Sequence, residues 1–317
     1  MTTCYLKKSF NAIMMGMIVL SLFSCLGSND KDEIASLTAQ QEEEIKEFLN
    51  SRNVSYQKTD KGAYLVVSNV GTGVSVPKED SLTVELSYSL SVFEGGNVVS
   101  GAKILYNPKY GAFIKGKNNT TFDQFKVEGI HHCSQTLKEG GKAKVFLPGI
   151  LGFGVFTPVI NDIRIPSYAA LVIELEVKDV RSESLQAQIE EDTIKAYIAK
   201  KGYTQAEKFP TGLWKLKILA NGTTSGTKPS PTSTVRASYK LYSLQGDLYD
   251  QGEEVYFELG KEKFIKGFEQ ALTTMYTNEQ ALFALPSRIA YKALGSGVVS
   301  PYEILIYELT LNKITKQ

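Results

Sequence analysis

The second half of the chain carries aromatic side chains and a carboxylate that could together form a substrate pocket. They are Tyr239, the neighbours Tyr249 and Asp250, Phe268 and Tyr291. Aromatic walls can hold an apolar ring and remove water from a bound amide, and a carboxylate or hydroxyl at the edge adds electrostatic stabilisation. Such a site favours a strained form of its ligand without a covalent step or a metal. A single aromatic residue is more often part of a core, so only the set indicates a pocket.

The sequence around these residues resembles a known family. Residues 264–309 read FIKGFEQALTTMYTNEQALFALPSRIAYKALGSGVVSPYEILIYEL, which is similar to the second half of an FKBP-type peptidyl-prolyl isomerase domain. A weaker copy lies in residues 126–154 and 165–177, so the chain resembles two such modules in tandem. The resemblance implies an α+β fold of two FKBP-like domains, each a twisted antiparallel sheet wrapped around one short helix. The alternating apolar residues of 82–88 and 170–177 fit sheets with one buried face.

The resemblance also assigns roles to the pocket residues of the second copy. Asp250 and Tyr291 are the expected catalytic residues. Residues expected to contact substrate are Tyr239, Tyr249, Val255, Phe264, Ile265, Phe268, Val299 and Tyr307. The substrates implied are polypeptides with X-Pro bonds, and no cofactor is implied.

The second copy departs from the family pattern at four positions. Phe268 stands where the family has a floor tryptophan, Val255 replaces a wall phenylalanine, Lys292 replaces a glycine, and Tyr307 replaces a phenylalanine of the closing strand. Phenylalanine keeps a flat apolar floor but loses area and an N–H donor. A working or weakened isomerase and an inactive relative that binds polypeptide or an envelope partner are both compatible with this pattern. A purely structural surface lipoprotein is a third possibility.

The first copy departs further from the family pattern. Residues that differ at pocket positions are Ile130, Ser100, Phe153 and Ile173, whereas Tyr88, Ile165 and Val127 are retained or closely substituted. The first copy therefore lacks the aromatic floor of the pocket, and it also lacks the carboxylate and the tyrosine hydroxyl that would interact with the amide. We therefore expect the first copy to be a binding or spacer module without isomerase activity.

The N-terminus has the pattern of a bacterial export signal. Lys7 and Lys8 precede an apolar run over residues 10–23 that is too short to span a bilayer comfortably. The run ends at Cys25 in a sequence that resembles a lipobox, which predicts lipidation of Cys25 and membrane attachment through its acyl chains. The residue after it, Leu26, implies the outer membrane under the best-known sorting rule, facing either the periplasm or the outside. A simple signal peptide with an incidental cysteine is the alternative.

Cysteine count and composition limit other functions. Cys4 and Cys25 belong to the N-terminal segment, which leaves Cys133 alone and predicts no disulfide within the chain. The sequence His131-His132-Cys133 contains metal-ligand types, but neighbouring helical residues point about 100° apart and no second cluster exists, so we expect no metal. A formal net charge of +1 gives no sign of a nucleic-acid surface.

The two copies differ in length. Helical patterns at residues 37–49 and 185–198 begin matching halves, and Gly62 and Gly212 are 150 positions apart (212 − 62), whereas Gly129 and Gly267 are 138 apart (267 − 129). The first copy therefore carries an insertion of about a dozen residues, predicted as a loop within residues 105–121.

These comparisons give the expected organisation of the chain. Residues 1–24 are the signal peptide, 25–36 a polar disordered tether, 37–182 the first domain, 183–201 a helical linker and 202–317 the second domain. Residues 220–234 are expected to be a flexible loop inside the second domain.

Overall fold

The computed structural model of the chain describes residues 30–77, 82–118, 121–219 and 225–316. Its helices are α1 (Asp30–Ser51), α2 (Glu128–Ser134), α3 (Glu183–Lys201) and α4 (Lys266–Thr274). The strands before α3 are β1 (Gln57–Lys58), β2 (Tyr64–Asn69), β3 (Leu82–Val92), β4 (Asn97–Tyr106), β5 (Phe113–Asn118), β6 (Thr121–Lys126), β7 (Lys142–Leu147), β8 (Val159–Ile160), β9 (Ile163–Arg164) and β10 (Leu171–Ser182). The strands after α3 are β11 (Glu207–Lys208), β12 (Trp214–Ile218), β13 (Thr234–Ser243), β14 (Leu248–Glu258), β15 (Gln280–Leu285) and β16 (Leu305–Lys316).

Two six-stranded sheets with the same strand order form the body of the chain. The order is β1-β2-β7-β10-β3-β4 in the first sheet and β11-β12-β15-β16-β13-β14 in the second, and neighbouring strands are antiparallel. We call the first sheet with α1 and α2 the first unit, and the second sheet with α4 the second unit. The predicted α+β class with antiparallel sheets is confirmed.

Each sheet packs a short helix on one face and a longer helix on the other. Alternation in β10 sends Ile173 into the core that contains Ile130 of α2, while Val172 joins the cluster beneath α1. In the second unit Phe268 of α4 lies in the main core, whereas Ile194 of α3 packs on the opposite face. Because alternate strand residues face opposite sides of a sheet, each sheet presents apolar side chains to both of its helices.

The helix α1 begins earlier than the sequence indicates. Residues 30–36 are helical, so the prediction that the tether extends to residue 36 as disordered chain is wrong for this stretch. Asp30, Asp32 and Glu33 lie in its first turn, where negative charge favours the helix dipole, and the Thr38 hydroxyl donates to the carbonyl oxygen of Ile34 at 2.7 Å. Cys25 and the signal segment lie outside the described residues.

The insertion in the first unit is a β-hairpin. Strands β5 and β6 pair antiparallel and join β8 and β9 in a separate four-stranded sheet. These strands lie between β4 and α2, where the repeat spacing indicates extra residues, but the prediction of a loop is wrong for β5. The reason is apolar burial, since Ile114, Phe125 and Ile160 all lie in the first core.

The helix α3 connects the two units. It follows β10 directly, and the hydroxyl of Ser182 accepts a hydrogen bond from the N–H of Leu185 at 3.2 Å, which caps the helix. The helix ends at the C-cap residue Gly202, whose backbone is in the left-handed region at φ 68°. Within the described ranges, none of the helices combines the length and apolar character needed to cross a bilayer.

Candidate functional site

Four aromatic rings surround Phe268 in the first turn of α4. Ring centroids lie 4.9 Å away for Phe257, 5.3 Å for Tyr307, 5.8 Å for Phe264 and 6.0 Å for Tyr239, in edge-on or tilted arrangements. Phe268 itself is 4% exposed. The structure thus brings Tyr239, Phe264, Phe268 and Tyr307, all predicted to contact substrate, into one cluster.

The position of Phe268 depends on the glycine before it. A Cβ atom at Gly267 would lie 2.6 Å from Cδ2 of Leu285 and 3.0 Å from the carbonyl oxygen of Ile289. A glycine lets α4 approach β15 closely enough to seat the ring of Phe268 over the sheet. Ile265, also predicted to contact substrate, is half-buried as the N-cap of α4.

A polar edge lies beside this aromatic cluster. The hydroxyl of Tyr239 donates to Oδ2 of the exposed Asp250 at 2.8 Å. Burial, followed by the hydrogen bond to Asp250, raises the pKa of Tyr239 to about 12. Burial and, to a lesser extent, the charge of Asp250 raise the pKa of the half-buried Tyr291. Both phenols are protonated at neutral pH. The single hydroxyl proton of Tyr239 is donated to Asp250, so Tyr291 is the phenol that can donate to a ligand.

Tyr291 is carried by a turn that α3 holds in place. The carboxylate of Glu190 accepts hydrogen bonds from the N–H of Ser287 at 2.8 Å and from its hydroxyl at 2.7 Å. Burial raises the pKa of Glu190. After the turn, Lys292 lies in the left-handed region at φ 55°, where the family has glycine.

Glu190 is the end of a polar chain that starts in the first unit. Gln186 donates to Glu190 at 3.0 Å, the Nε of Arg181 donates to Gln186 at 2.9 Å, and Nη2 of Arg181 donates to Glu85 at 3.0 Å. Glu85 lies in β3 and Arg181 in β10. The turn before Tyr291 is therefore connected by hydrogen bonds to the sheet of the first unit. Sequence analysis did not identify these residues, because α3 was treated as a linker.

The predicted wall residue Tyr249 lies at the contact between the two units. Nζ of Lys115, in the inserted hairpin, donates to the hydroxyl of Tyr249 at 2.7 Å and lies 4.4 Å from its ring centroid. The Tyr249 hydroxyl in turn donates to Glu303. Burial is the main cause that raises the pKa of Tyr249, with the hydrogen bond to Glu303 second. The ring of Tyr249 is therefore fixed by the first unit.

Two predicted contact residues differ in exposure, and one member of the aromatic cluster was not predicted. Val255 is 37% exposed at the strand edge, whereas Val299 is 3% exposed inside the second core. Its neighbour Val298 is half-buried against that core. Phe257, two residues after Val255 on β14, is the aromatic ring that packs closely on Phe268.

The corresponding region of the first unit is filled by its own side chains. Its predicted equivalents Ile130, Phe153, Ile173, Tyr88, Ile165 and Val127 are buried in the first core, and Ser100 is exposed. Phe125 of the inserted hairpin packs against Phe153 at 5.9 Å and Phe156 at 5.7 Å between centroids. The hairpin therefore covers the side of the first unit that matches the aromatic cluster of the second.

The His131-His132-Cys133 sequence lies on α2. Cys133 is fully buried, and this burial raises its pKa to about 12. Burial lowers the pKa of His131, whose ring packs edge-on against Tyr106 at 6.0 Å. Across residues 30–77, 82–118, 121–219 and 225–316, no three metal-ligating side chains come together.

Part of the chain is similar to known proteins. Residues 225–312 match the family model described as FKBP-type peptidyl-prolyl cis-trans isomerase. The chain is 23% identical over 138 residues to the FKBP-type peptidyl-prolyl cis-trans isomerase FkpA of Buchnera aphidicola, covering 44% of this chain and 48% of that protein. It is 34% identical over 64 residues to the peptidyl-prolyl cis-trans isomerase FPR2 of Saccharomyces cerevisiae, covering 20% of this chain and 47% of that protein. The chain thus spans about half the length of these curated relatives.

Two solved structures are also similar. One contains the three FKBP domains of wheat FKBP73, with 19% identity and a TM-score of 0.33 over 83% of this chain and all of that one. The other is a peptidyl-prolyl cis-trans isomerase of Pseudomonas syringae, with 25% identity and a TM-score of 0.35 over 41% of this chain and 96% of that one. Within this chain, residues 225–312 contain β13 to β16 and the aromatic cluster around Phe268. The match to the FKBP-type peptidyl-prolyl cis-trans isomerase family model therefore falls on the second unit.

Proposed function

We propose that the protein is a peptidyl-prolyl cis-trans isomerase whose second unit acts on X-Pro bonds of exported polypeptides during folding. The observation that supports this most strongly is the convergence of Tyr239, Asp250 and Tyr291 beside the ring of Phe268. Uncatalysed prolyl isomerisation takes tens of seconds or longer, which is slow enough to limit folding.

The proposed mechanism acts by differential binding of the twisted amide. Rotation of a peptide bond must overcome a barrier of about 18–20 kcal/mol, because planar resonance is lost. A proline ring seated against Tyr239, Ile265 and the edge of Phe268 removes water from the amide, and the amide is easier to twist in an apolar environment. The enzyme accelerates the reaction only as far as these contacts fit the twisted form better than the planar one.

Two hydroxyl groups lie at the polar edge of the site, and they differ in whether their proton is already used. The Tyr239 hydroxyl is oriented by its hydrogen bond to Asp250. The Tyr291 hydroxyl has no hydrogen-bond partner among the described residues, so it can donate to the carbonyl oxygen of a substrate. Because burial raises its pKa, Tyr291 remains a donor at neutral pH. We assign it the role of stabilising the carbonyl of the twisted amide.

A second candidate function is polypeptide binding without turnover. Two observations favour it, namely the 4% exposure of Phe268 and the engagement of the Tyr249 hydroxyl by Lys115 and Glu303. The experiment that separates the two functions measures binding and isomerisation of the same Phe-Pro peptides by the full chain. Acceleration of cis-trans exchange supports the isomerase, and binding without acceleration supports the alternative. Peptides with several different residues before proline are included, because an enzyme that accepts only a few of these residues would otherwise be scored as inactive.

Lipid anchoring in the cell envelope is part of the proposal. The support is the sequence pattern that ends at Cys25, together with Leu26 after it, which favours an outer-membrane lipoprotein facing the periplasm or the outside. The test is incorporation of labelled palmitate into the full chain expressed in a bacterium, followed by fractionation of the membranes. A Cys25→Ser variant should lose the label, and a labelled Cys25→Ser variant would overturn the anchoring site.

A further inference from the structure

The two units enclose a cleft beside the candidate site. Its volume is about 780 Å³, within the range of ligand-binding pockets. Asn107 and Tyr110 of the first unit form one wall, Leu294 and Tyr302 of the second unit form another, and the start of α3 lies between them. Tyr291 also lines the cleft. The cleft and the site therefore share Tyr291, the residue to which we assign the carbonyl contact.

The charged side chains that line the cleft are mainly cationic. Lys109, Arg288 and Lys292 are exposed, and none of them forms an ion pair with a described residue. The carboxylates there are Glu183, which is exposed at the start of α3, and Glu190. Glu190 is buried and its oxygens accept hydrogen bonds from Gln186 and Ser287.

The consequence is a surface that attracts negative charge. Lys109 and Lys292 line the cleft with one exposed carboxylate, that of Glu183, and a cleft with low-dielectric walls concentrates such a field. Arg288 adds positive charge, although its Nε and Nη2 already donate to the carbonyl oxygen of Thr211 at 3.3 and 3.2 Å. Ion pairs elsewhere in the chain, such as Lys144 with Glu174 at 2.8 Å, show that lysines with a nearby carboxylate pair with it. Lys109 and Lys292 form no ion pair with a described residue, so a ligand carboxylate can pair with them.

The apolar lining of the cleft indicates what kind of anion fits. The side chain of Leu294 is 54% exposed, and Tyr110 and Ala187 are half-buried on the facing walls. An inorganic anion gains nothing from such contacts, whereas a polypeptide presents apolar and charged groups at the spacing of neighbouring residues.

We propose that this cleft binds the polypeptide segment next to the isomerised proline and that it selects segments rich in aspartate or glutamate. The inference rests on the proposed function, because Tyr291 belongs to both the site and the cleft. It makes the first unit a determinant of specificity, since Lys109 reaches the cleft from the residues that follow β4. The first unit would thus contribute to substrate choice through a surface outside its own filled core.

The test uses the full chain in detergent and three Phe-Pro peptides of equal length. They carry two glutamates, two glutamines or two lysines, placed before the Phe-Pro pair in one series and after it in another. Cis-trans exchange is measured by NMR for each peptide. We expect a kcat/KM about fivefold higher for the glutamate peptide than for the glutamine peptide in at least one series, with the lysine peptide lowest.

Charge reversal in the first unit isolates the cleft from the catalytic groups. Lys109→Glu should abolish the preference for glutamate, so that the glutamate and glutamine peptides exchange with similar kcat/KM. The matched control is Lys61→Glu, an exposed lysine in the turn before β2, at the sheet edge opposite β4. Retention of the full glutamate preference in Lys109→Glu, or its equal loss in Lys61→Glu, would overturn the proposal.

Binding measurements separate this proposal from the proposed function. If none of the peptides exchanges faster, the isomerase function fails, and fluorescence anisotropy of the same labelled peptides then tests the cleft by itself. Tighter binding of the glutamate peptide that Lys109→Glu removes supports the cleft. Equal binding of the three peptides overturns it.

Discussion

The carboxylate of Glu190 holds the turn that leads to Tyr291 by accepting hydrogen bonds from the N–H and the hydroxyl of Ser287, at 2.8 and 2.7 Å. The first unit has a neutral counterpart. Gln41 of α1 accepts from the N–H of Gly149 at 2.8 Å and donates to the carbonyl oxygen of Tyr168 at 2.8 Å. In both units a polar side chain from the outer helix therefore fixes the loop that follows the central strand, but only the second unit uses an ionisable group for it.

Replacement of Glu190 should show how much this contact contributes. Glu190→Ala leaves the buried N–H of Ser287 without its partner, and we expect the free energy of unfolding to fall by about 1–3 kcal/mol. Glu190→Gln keeps an acceptor, as Gln41 does, and should lose much less. Urea unfolding of both variants checks the prediction. Equal stability of the alanine and glutamine variants would contradict a role for this hydrogen bond.

The stability of the protein should depend on pH through Glu190. Burial raises its pKa in the folded state above the ordinary value of 4.5, so the native state binds this proton more tightly than the unfolded state. The stabilisation from the proton is fully present below the unfolded pKa and is lost as the pH rises through the folded pKa. The difference in unfolding free energy between the wild type and Glu190→Gln should therefore shift against the wild type over that range. A difference that does not change with pH would contradict the raised pKa.

Lys292→Gly should stabilise the turn after Tyr291 or leave it unchanged. The left-handed backbone at φ 55° costs a non-glycine residue about 1–2 kcal/mol, which exceeds the entropic cost of introducing glycine, about 0.5–1 kcal/mol. We expect a gain of up to about 1 kcal/mol in thermal or urea unfolding. The control is Lys313→Gly, at an exposed position in β16, which should lose about 0.5–1 kcal/mol. A loss of similar size at both positions would contradict the argument.

The hydrogen bond between Lys115 and Tyr249 should couple the two units energetically. A double-mutant cycle with Lys115→Met and Tyr249→Phe isolates the pair from the other contacts of each residue. For a hydrogen bond of 2.7 Å with a charged donor we expect a coupling of about 1 kcal/mol or more in unfolding free energy. Additive effects of the two substitutions would show that the first unit does not fix Tyr249.

The sequence predicted those features that depend on local pattern or family spacing. Alternation in β3 and β10 identified the buried strands, and the family resemblance selected Tyr239 and Asp250, whose side chains share a hydrogen bond in the structure. Contacts between distant elements were not predictable in this way. Glu190 is 97 residues from Ser287, and nothing in the helical pattern of α3 shows that one carboxylate will face a turn of another sheet.

The inserted hairpin shows a second limit of sequence analysis. Its glycine and asparagine content indicated a loop, but burial of Ile114 and Phe125 in the first core stabilises paired strands instead. The same tertiary packing fills the region of the first unit that corresponds to the site of the second. Composition alone could not show that a segment beside the core would enter it.

The measurement that tests the account most directly is cis-trans exchange of a Phe-Pro peptide with the full chain, its Asp250→Ala, Tyr291→Phe double variant and a Tyr256→Phe control. Tyr256 is 63% exposed on the same strand as Asp250, so the loss of its hydroxyl should change nothing. The account predicts acceleration by the wild type and the control, and a loss of about tenfold or more in the double variant. Equal acceleration by the folded double variant, or none by the wild type, would contradict it.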